Sequence, residues 1–206
     1  MQLPSPATSF TRMPCALSCA LNSAPHNQHP HNWQQHAACS MHCISRTFQI
    51  AATFASLSVV ENVQMALYSH AGRLRSLLSR FGTAFVAEAD ALLGQVGMLD
   101  QAERPCGVLA YGDLKRVELA MALANQPRLL LMDEPTAGMA PRERVALMEL
   151  AAGLARAQKI AVLFTEHDMD VVFSQADRII VLDRGQLIAG GTPQEVRANP
   201  DVRAVY

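Results

Sequence analysis

Two kinds of hydrophobic pattern recur along this chain. The first is a short, uninterrupted apolar run that ends in charge. Leu129-Leu130-Leu131-Met132 leads straight into Asp133, Glu134 and Pro135, and Ile160 to Phe164 leads into Thr165, Glu166, His167 and Asp168. Runs of this length read as strands buried on both faces, as in a parallel sheet. The second pattern is a helical stripe. Ser58-Val59-Val60-Glu61 is a capping box that opens a helix from about Val59 to Tyr68. Phe85, Ala89, Leu92, Leu93 and Val96 form one apolar face of a helix over about Ala84 to Val96, ended by Gly97. Val117, Met121 and Ala124 share a face of a helix that carries Lys115, Arg116 and Glu118 elsewhere. Pro141 opens a helix striped by Leu147, Leu150 and Leu154, running to about Gln158. Ile179 to Leu182, Arg184-Gly185 and Leu187 to Ala189 read as a hairpin. Thr192-Pro193-Gln194-Glu195 supplies cap, opening proline and box glutamate for the last helix. Strands separated by helices predict an α/β fold with a parallel-sheet core.

The chemistry lies where the apolar runs end. Asp133 and Glu134 follow the carboxyl end of a predicted strand, where open α/β sheets place their ligands. One carboxylate can hold Mg²⁺, which takes oxygen ligands and keeps several waters. Its neighbour, pointing the other way along an extended chain, can polarise an attacking water. The plainer alternative is a buried strand followed by a polar turn.

Residues 1–43 differ from the rest. There is no glycine before Gly72 and no acidic residue before Glu61, and histidines stand at 26, 29, 31, 36 and 42. No helical or strand period is evident, and such a segment buries too little apolar surface to offset its ordering entropy, so disorder is expected. Cys15, Cys19, Cys39 and Cys43 with the nearby histidines suggest zinc as one alternative, and Met13 to Leu21 after Arg12 suggests a signal-peptide core as another. A third is a tail translated from a displaced start or reading frame. Between the first two helices, Arg73, Arg75 and Arg80 with Gly72 and Gly82 read as a polar connection.

Composition narrows the classes. Half of the residues are hydrophobic (50%), ample for one core in 206 residues. A formal charge of −1 argues against a nucleic-acid partner. No run of about 18 apolar residues exists for a membrane-spanning helix. Five cysteines, an odd count with four of them in the tail, do not describe a disulfide framework, so a reducing cytoplasm is expected.

Four stretches in order carry a resemblance: Arg46-Thr47-Phe48-Gln49, Leu109-Ala110-Tyr111-Gly112-Asp113, Leu129 to Pro135, and Thr165-Glu166-His167-Asp168. They resemble the Q-loop, signature, Walker B and switch-histidine motifs of ABC transporter ATPases, most of all the ATP-binding subunits of branched-chain (hydrophobic) amino-acid importers. The likeness spans roughly residues 44–206, with about 50–108 as a helical subdomain and 109–206 as the signature, Walker B, switch and C-terminal part. The resemblance implies ATP and Mg²⁺ as cofactors. It makes Asp133 the Mg²⁺ ligand, Glu134 the base, Gln49 a sensor of metal and water, and His167 a γ-phosphate contact. Leu109 to Asp113 would cap, from a helix amino terminus, the ATP held by the opposite subunit. Ala110 departs from the serine usual there, which removes a hydroxyl contact. Thr136 to Pro141 resembles the D-loop, which crosses the dimer interface. Implied partners are a second ABC ATPase subunit, in a homo- or heterodimer, and transmembrane permease subunits that the helical subdomain docks onto. The implied location is cytoplasmic, peripheral on the inner face of the cell membrane.

One expected part is absent from these 206 residues. The family's phosphate loop, G-x-x-x-x-G-K-[ST], needs a lysine and early glycines, and lysine occurs only at 115 and 159. The reading is therefore an importer ATPase truncated at its amino-terminal side, with impaired hydrolysis. The alternatives are a non-catalytic subunit that lends its signature helix to an intact partner, or a non-functional fragment. The phosphate-loop strand is expected beside the Walker B strand, so Leu129 to Met132 is predicted to present an unpaired hydrophobic edge and poor solubility.

Overall fold

The structure is a computed structural model that describes residues 7–11 (backbone only), 44–47, 53–72 and 84–205. Gln49, the four tail cysteines, Met13 to Leu21 and Arg73, Arg75 and Arg80 lie outside the described residues.

Six strands form one sheet: β1 (Ala7–Thr11), β2 (Ile44–Thr47), β3 (Leu129–Asp133), β4 (Ala161–Glu166), β5 (Arg178–Asp183) and β6 (Gln186–Gly191). Their order is β2-β3-β4-β1-β5-β6. β2, β3 and β4 are parallel, as the continuous apolar runs predict. The expected unpaired edge at Leu129 to Met132 is corrected by this order. β3 is flanked on both sides, by Ile44–Thr47 and by Ala161–Glu166, so its backbone groups have partners. The place that needs filling lies one strand further on, between β4 and β5. There Ala7–Thr11 pairs antiparallel with both neighbours, Phe10 standing opposite Leu163 on one side and Arg178 on the other. β5 and β6 form the predicted hairpin, turning through Arg184 (φ 46°) and Gly185 (φ 81°).

Seven α-helices are found among the described residues: α1 (Val59–His70), α2 (Val86–Val96), α3 (Tyr111–Leu123), α4 (Pro141–Gln158), α5 (Met169–Gln175), α6 (Pro193–Ala198) and α7 (Pro200–Val205). The capping box of α1 is complete: the Glu61 amide donates to Ser58 Oγ (3.3 Å) and the Ser58 amide to Glu61 Oε2 (2.8 Å). Ser58→Ala is expected to cost about 1 kcal/mol, read as a melting temperature lowered by about 2–4 °C.

α2 starts two residues later than predicted. Phe85 takes a left-handed conformation (φ 62°) outside the helix, and its ring meets Tyr68 edge-on at 5.0 Å. α1, α2 and α3 pack on one another as a helical layer, α3 also lies on β2, and α4 and α5 cover β4. One cluster joins Val59, Val63, Leu93, Val117, Leu130, Met132, Phe164, Ile179 and Val181 across both layers.

α3 departs from its expected polar face. Lys115 and Glu118 are both buried, with Lys115 Nζ 2.9 Å from Glu118 Oε2 and 5.7 Å from the Tyr111 ring. Pairing at i,i+3 lets two charges enter an interior that neither would enter alone.

Candidate functional site

The site forms where β3 and β4 end together. Their parallel register sets Asp133 beside Thr165. Thr165 Oγ1 donates to Asp133 Oδ1 (2.8 Å), and Arg46 reaches over from β2 to donate to Oδ2 (3.1 Å). Both members of the Arg46–Asp133 pair are about half exposed, so the contact orients the carboxylate more than it stabilises the fold. Glu134 does not continue the strand as predicted. It turns into the left-handed region (φ 44°), where its amide donates to the Thr165 carbonyl (3.0 Å) and to Thr165 Oγ1 (3.2 Å). A glutamate pays roughly 1–3 kcal/mol for that conformation, and these two bonds hold it there. The turn brings Glu134 Oε1 within 3.8 Å of His167 Nδ1.

The loop that follows is fixed from below. Thr136 is buried, and its amide and hydroxyl both donate to Glu166 Oε1, at 2.9 and 2.6 Å. Arg144, at the start of α4, donates from Nε to the Met139 carbonyl (2.8 Å) and from Nη1 to Asp168 Oδ2 (2.6 Å). Asp168 also caps α5, accepting from the amides of Asp170 and Val171. Burial pushes the Asp168 carboxyl upward, but the Arg144 guanidinium and the cap amides outweigh it and hold it below its usual value. The folded protein therefore binds fewer protons at Asp168 than the unfolded chain does. This contribution is present above the ordinary aspartate range and is lost as pH falls through the lowered value. Arg144→Ala is expected to remove part of the acid-side loss of stability, so melting temperatures from pH 6 down to pH 3 should fall less steeply than in the parent. Parallel curves would contradict it.

Leu109 to Asp113 lead into α3. Ala110 is its N-cap residue and provides no side-chain acceptor. A methyl at Gly112 would come 3.4 Å from Met139 Cε, and one at Gly138 3.9 Å from the Tyr111 ring, so this terminus packs against the loop beyond Glu134. A cavity of about 100 Å³ between them is lined by Ala110, Gly112, Asp113, Arg116, Met139 and Glu143. Asp113 accepts from Gln101 Nε2 at 3.4 Å.

The structure thus gathers Asp133, Glu134 and His167 into one cluster and sets Leu109 to Asp113 against the adjoining loop. Sequence reasoning missed Thr165, Thr136, Arg144 and the burial of Glu166. The signal available for Thr165 was its position between the apolar run and His167. A hard cation fits Asp133: the carboxylate is half exposed, already oriented, and has lone pairs beyond its two hydrogen bonds. No group of three His, Cys, Asp or Glu side chains suited to a metal occurs among the described residues. No G-x-x-x-x-G-K-[ST] motif occurs in the sequence.

The chain is similar to known proteins over most of its length. The sequence model of the family described as "ABC transporter" matches residues 21–137, and that described as "Branched-chain amino acid ATP-binding cassette transporter" matches 186–206. The first match reaches back well before Ile44, further than the sequence reading allowed. The chain is 38% identical over 170 residues to the high-affinity branched-chain amino acid transport ATP-binding protein LivG of Salmonella typhimurium, covering 79% of this chain and 67% of the relative. BraF of Pseudomonas aeruginosa, of the same description, is 37% identical over the same coverage. Among solved structures, an ATP-binding cassette of an ABC transporter in its ADP conformation is 29% identical with a TM-score of 0.68, covering 82% of this chain and 70% of that one. The cassette cbiO1 from Clostridium perfringens, 28% identical, has a TM-score of 0.65 over 80% of this chain and 63% of its own. The chain belongs to the ABC transporter family, among its branched-chain amino-acid type of ATP-binding cassettes.

Proposed function

We propose that the chain serves as the ATP-binding and ATP-hydrolysing subunit of an importer for branched-chain or other hydrophobic amino acids. The observation that carries the reading is the contact of Glu134 with His167 beside Asp133, three side chains brought together by two adjacent strand ends. In this reading Asp133 holds Mg²⁺, Glu134 accepts the proton of the attacking water, and His167 donates to the γ-phosphate. Glu134 suits the task because it is partly shielded and lies against His167. A bound Mg²⁺ would neutralise charge on the transferring phosphoryl group. Gln49 is assigned by resemblance to sensing the metal and the water. The partners are a second ATPase subunit and transmembrane permeases, with the chain peripheral on the cytoplasmic face. No described helix is long and apolar enough to cross a membrane itself.

A second reading is favoured by a specific feature. Neither lysine of the chain belongs to a phosphate loop, and Lys115 is engaged by Glu118, whereas the amino terminus of α3 lacks a side-chain cap. The chain would then lend that terminus to ATP held by an intact partner. The test is ATP turnover of a dimer mixed with a cassette that carries the loop. Under the first reading Glu134→Gln lowers turnover by about 10²–10⁴, as for loss of a general base. Turnover indifferent to Glu134→Gln but lost on altering Gly112 selects the second.

A further inference from the structure

We propose that Glu166 is a positioning residue, holding the loop after Glu134 in register with His167. Glu166 ends β4 and is 1% exposed, and Thr136 is 2% exposed. Glu166 Oε1 takes both donors of Thr136, backbone and hydroxyl, while its Oε2 is equally buried and has no hydrogen-bond partner among the described residues. A carboxylate placed this way works against folding, since one oxygen loses water and gains nothing. It cannot act as a second base, because it is closed off from solvent and its paired oxygen is already occupied. What it does accomplish is geometric. Charge-assisted bonds are short and directional, and these two fix one residue of the loop to the residue before His167. On the other side of His167, Asp168 is gripped by Arg144, which also holds the Met139 carbonyl. The loop is therefore tied at Thr136 and Met139 to both neighbours of His167. Where the loop meets α3, at Gly112 and Gly138, a displacement would pass through these ties to the histidine ring. Glu134 is tied to the same strand through Thr165, so base and histidine move with one support.

The proposal rests on reading Glu134 and His167 as the hydrolytic pair, and its test separates the two. The ring signals of His167 are followed by NMR in the full chain, assigned by their loss in His167→Gln, with His70 as an internal reference. Thr136→Ser keeps both donors, Thr136→Val keeps the shape without the hydroxyl, and Glu166→Ala removes the acceptor. We expect Thr136→Ser to match the parent, while Thr136→Val and Glu166→Ala shift the His167 signals and leave His70 in place. In a dimer mixed with an intact cassette, Thr136→Val should lower kcat at least tenfold with KM unchanged. If Glu166→Ala does not fold, Thr136→Val decides by the same signals. Folded variants with His167 signals unmoved overturn the proposal, whatever the turnover. Moved signals without any turnover support the positioning role and count against the hydrolytic reading instead.

Discussion

Removal of residues 1–11 is expected to abolish the cooperative unfolding transition and to drive the chain into aggregates. β4 and β5 each pair with Ala7–Thr11, and β5 is joined to the rest of the sheet through that strand. Taking it out leaves a gap about 10 Å wide, two strand spacings, between the parallel β4 and β5. Both neighbours then present unpaired backbone groups, each costing about 1–3 kcal/mol when buried. Several such losses equal or exceed the 5–15 kcal/mol typical of a whole domain. Closing the gap directly would pull β5, β6 and α6 away from the cluster that holds Ile179 and Val181, so no inexpensive repacking is at hand. The exposed edges carry Val162, Phe164, Ile179 and Val181, which makes them templates for association. A milder variant, Ser9→Pro, removes one N–H from the middle of the strand and should lower the melting temperature by several degrees while leaving a folded monomer. The measurement is a thermal melt with light scattering. A deletion variant that melts cooperatively, within a few degrees of the full chain, would refute the structural role of this strand.

The stretch that closes the sheet was the hardest to read from sequence. Ala-Thr-Ser-Phe-Thr offers no apolar run and sits among histidines, cysteines and prolines, so local composition points to disorder. Its strand state comes from an open slot between two other strands, and β preference follows such context more than identity. Where the local signal and the tertiary demand agree, the elements were legible. The apolar runs at Leu129 and Ile160 became β3 and β4, and the boxes at Ser58 and Thr192 opened α1 and α6. α5 was missed because seven residues give too little periodicity, although Asp168 followed by Val171 and Val172 was a usable cap signal. Lys115 and Glu118 looked solvent-facing because each is charged, and only their pairing explains their burial.

The site was legible in outline by the same logic. Asp133, Glu134 and His167 follow apolar runs, so sequence placed them at strand ends, and the strand ends are adjacent. The left-handed turn at Glu134 was not legible, since neither glycine nor asparagine marks it, and it depends on hydrogen bonds that its amide donates to Thr165, distant in sequence. Nor was the burial of Glu166 legible. A glutamate between threonine and histidine reads as surface until Thr136 is seen to occupy it.

Gly112→Asp is expected to lower ATP turnover of a dimer with an intact cassette by about 10²–10³, the range for losing a preorganised donor at a developing charge. The argument begins with what the glycine does inside this chain. Its φ is not in the left-handed region, and an added Cβ would meet Met139 Cε at 3.4 Å and Glu143 Cδ at 3.6 Å, ordinary contact distances. The fold should therefore tolerate the change, with a melting temperature close to the parent's. The loss would come from outside the chain. The α3 terminus has no side-chain cap, because Ala110 stands at the N-cap, so its bare amides are left to meet an anion there. A carboxylate at 112 would repel a phosphate brought to those amides and would offer them an acceptor in its place. Gly112→Ala, which adds bulk without charge, should lose less, and Ala110→Ser should gain, since a hydroxyl at the N-cap adds a donor toward the phosphate. The order Ala110→Ser above the parent, then Gly112→Ala, then Gly112→Asp is the expected outcome of a turnover assay at saturating ATP. Full activity in Gly112→Asp, with the dimer intact by sizing, would show that this terminus meets no phosphate in the assembly and would remove the reading of the chain as a lender of its α3 terminus to a partner's ATP.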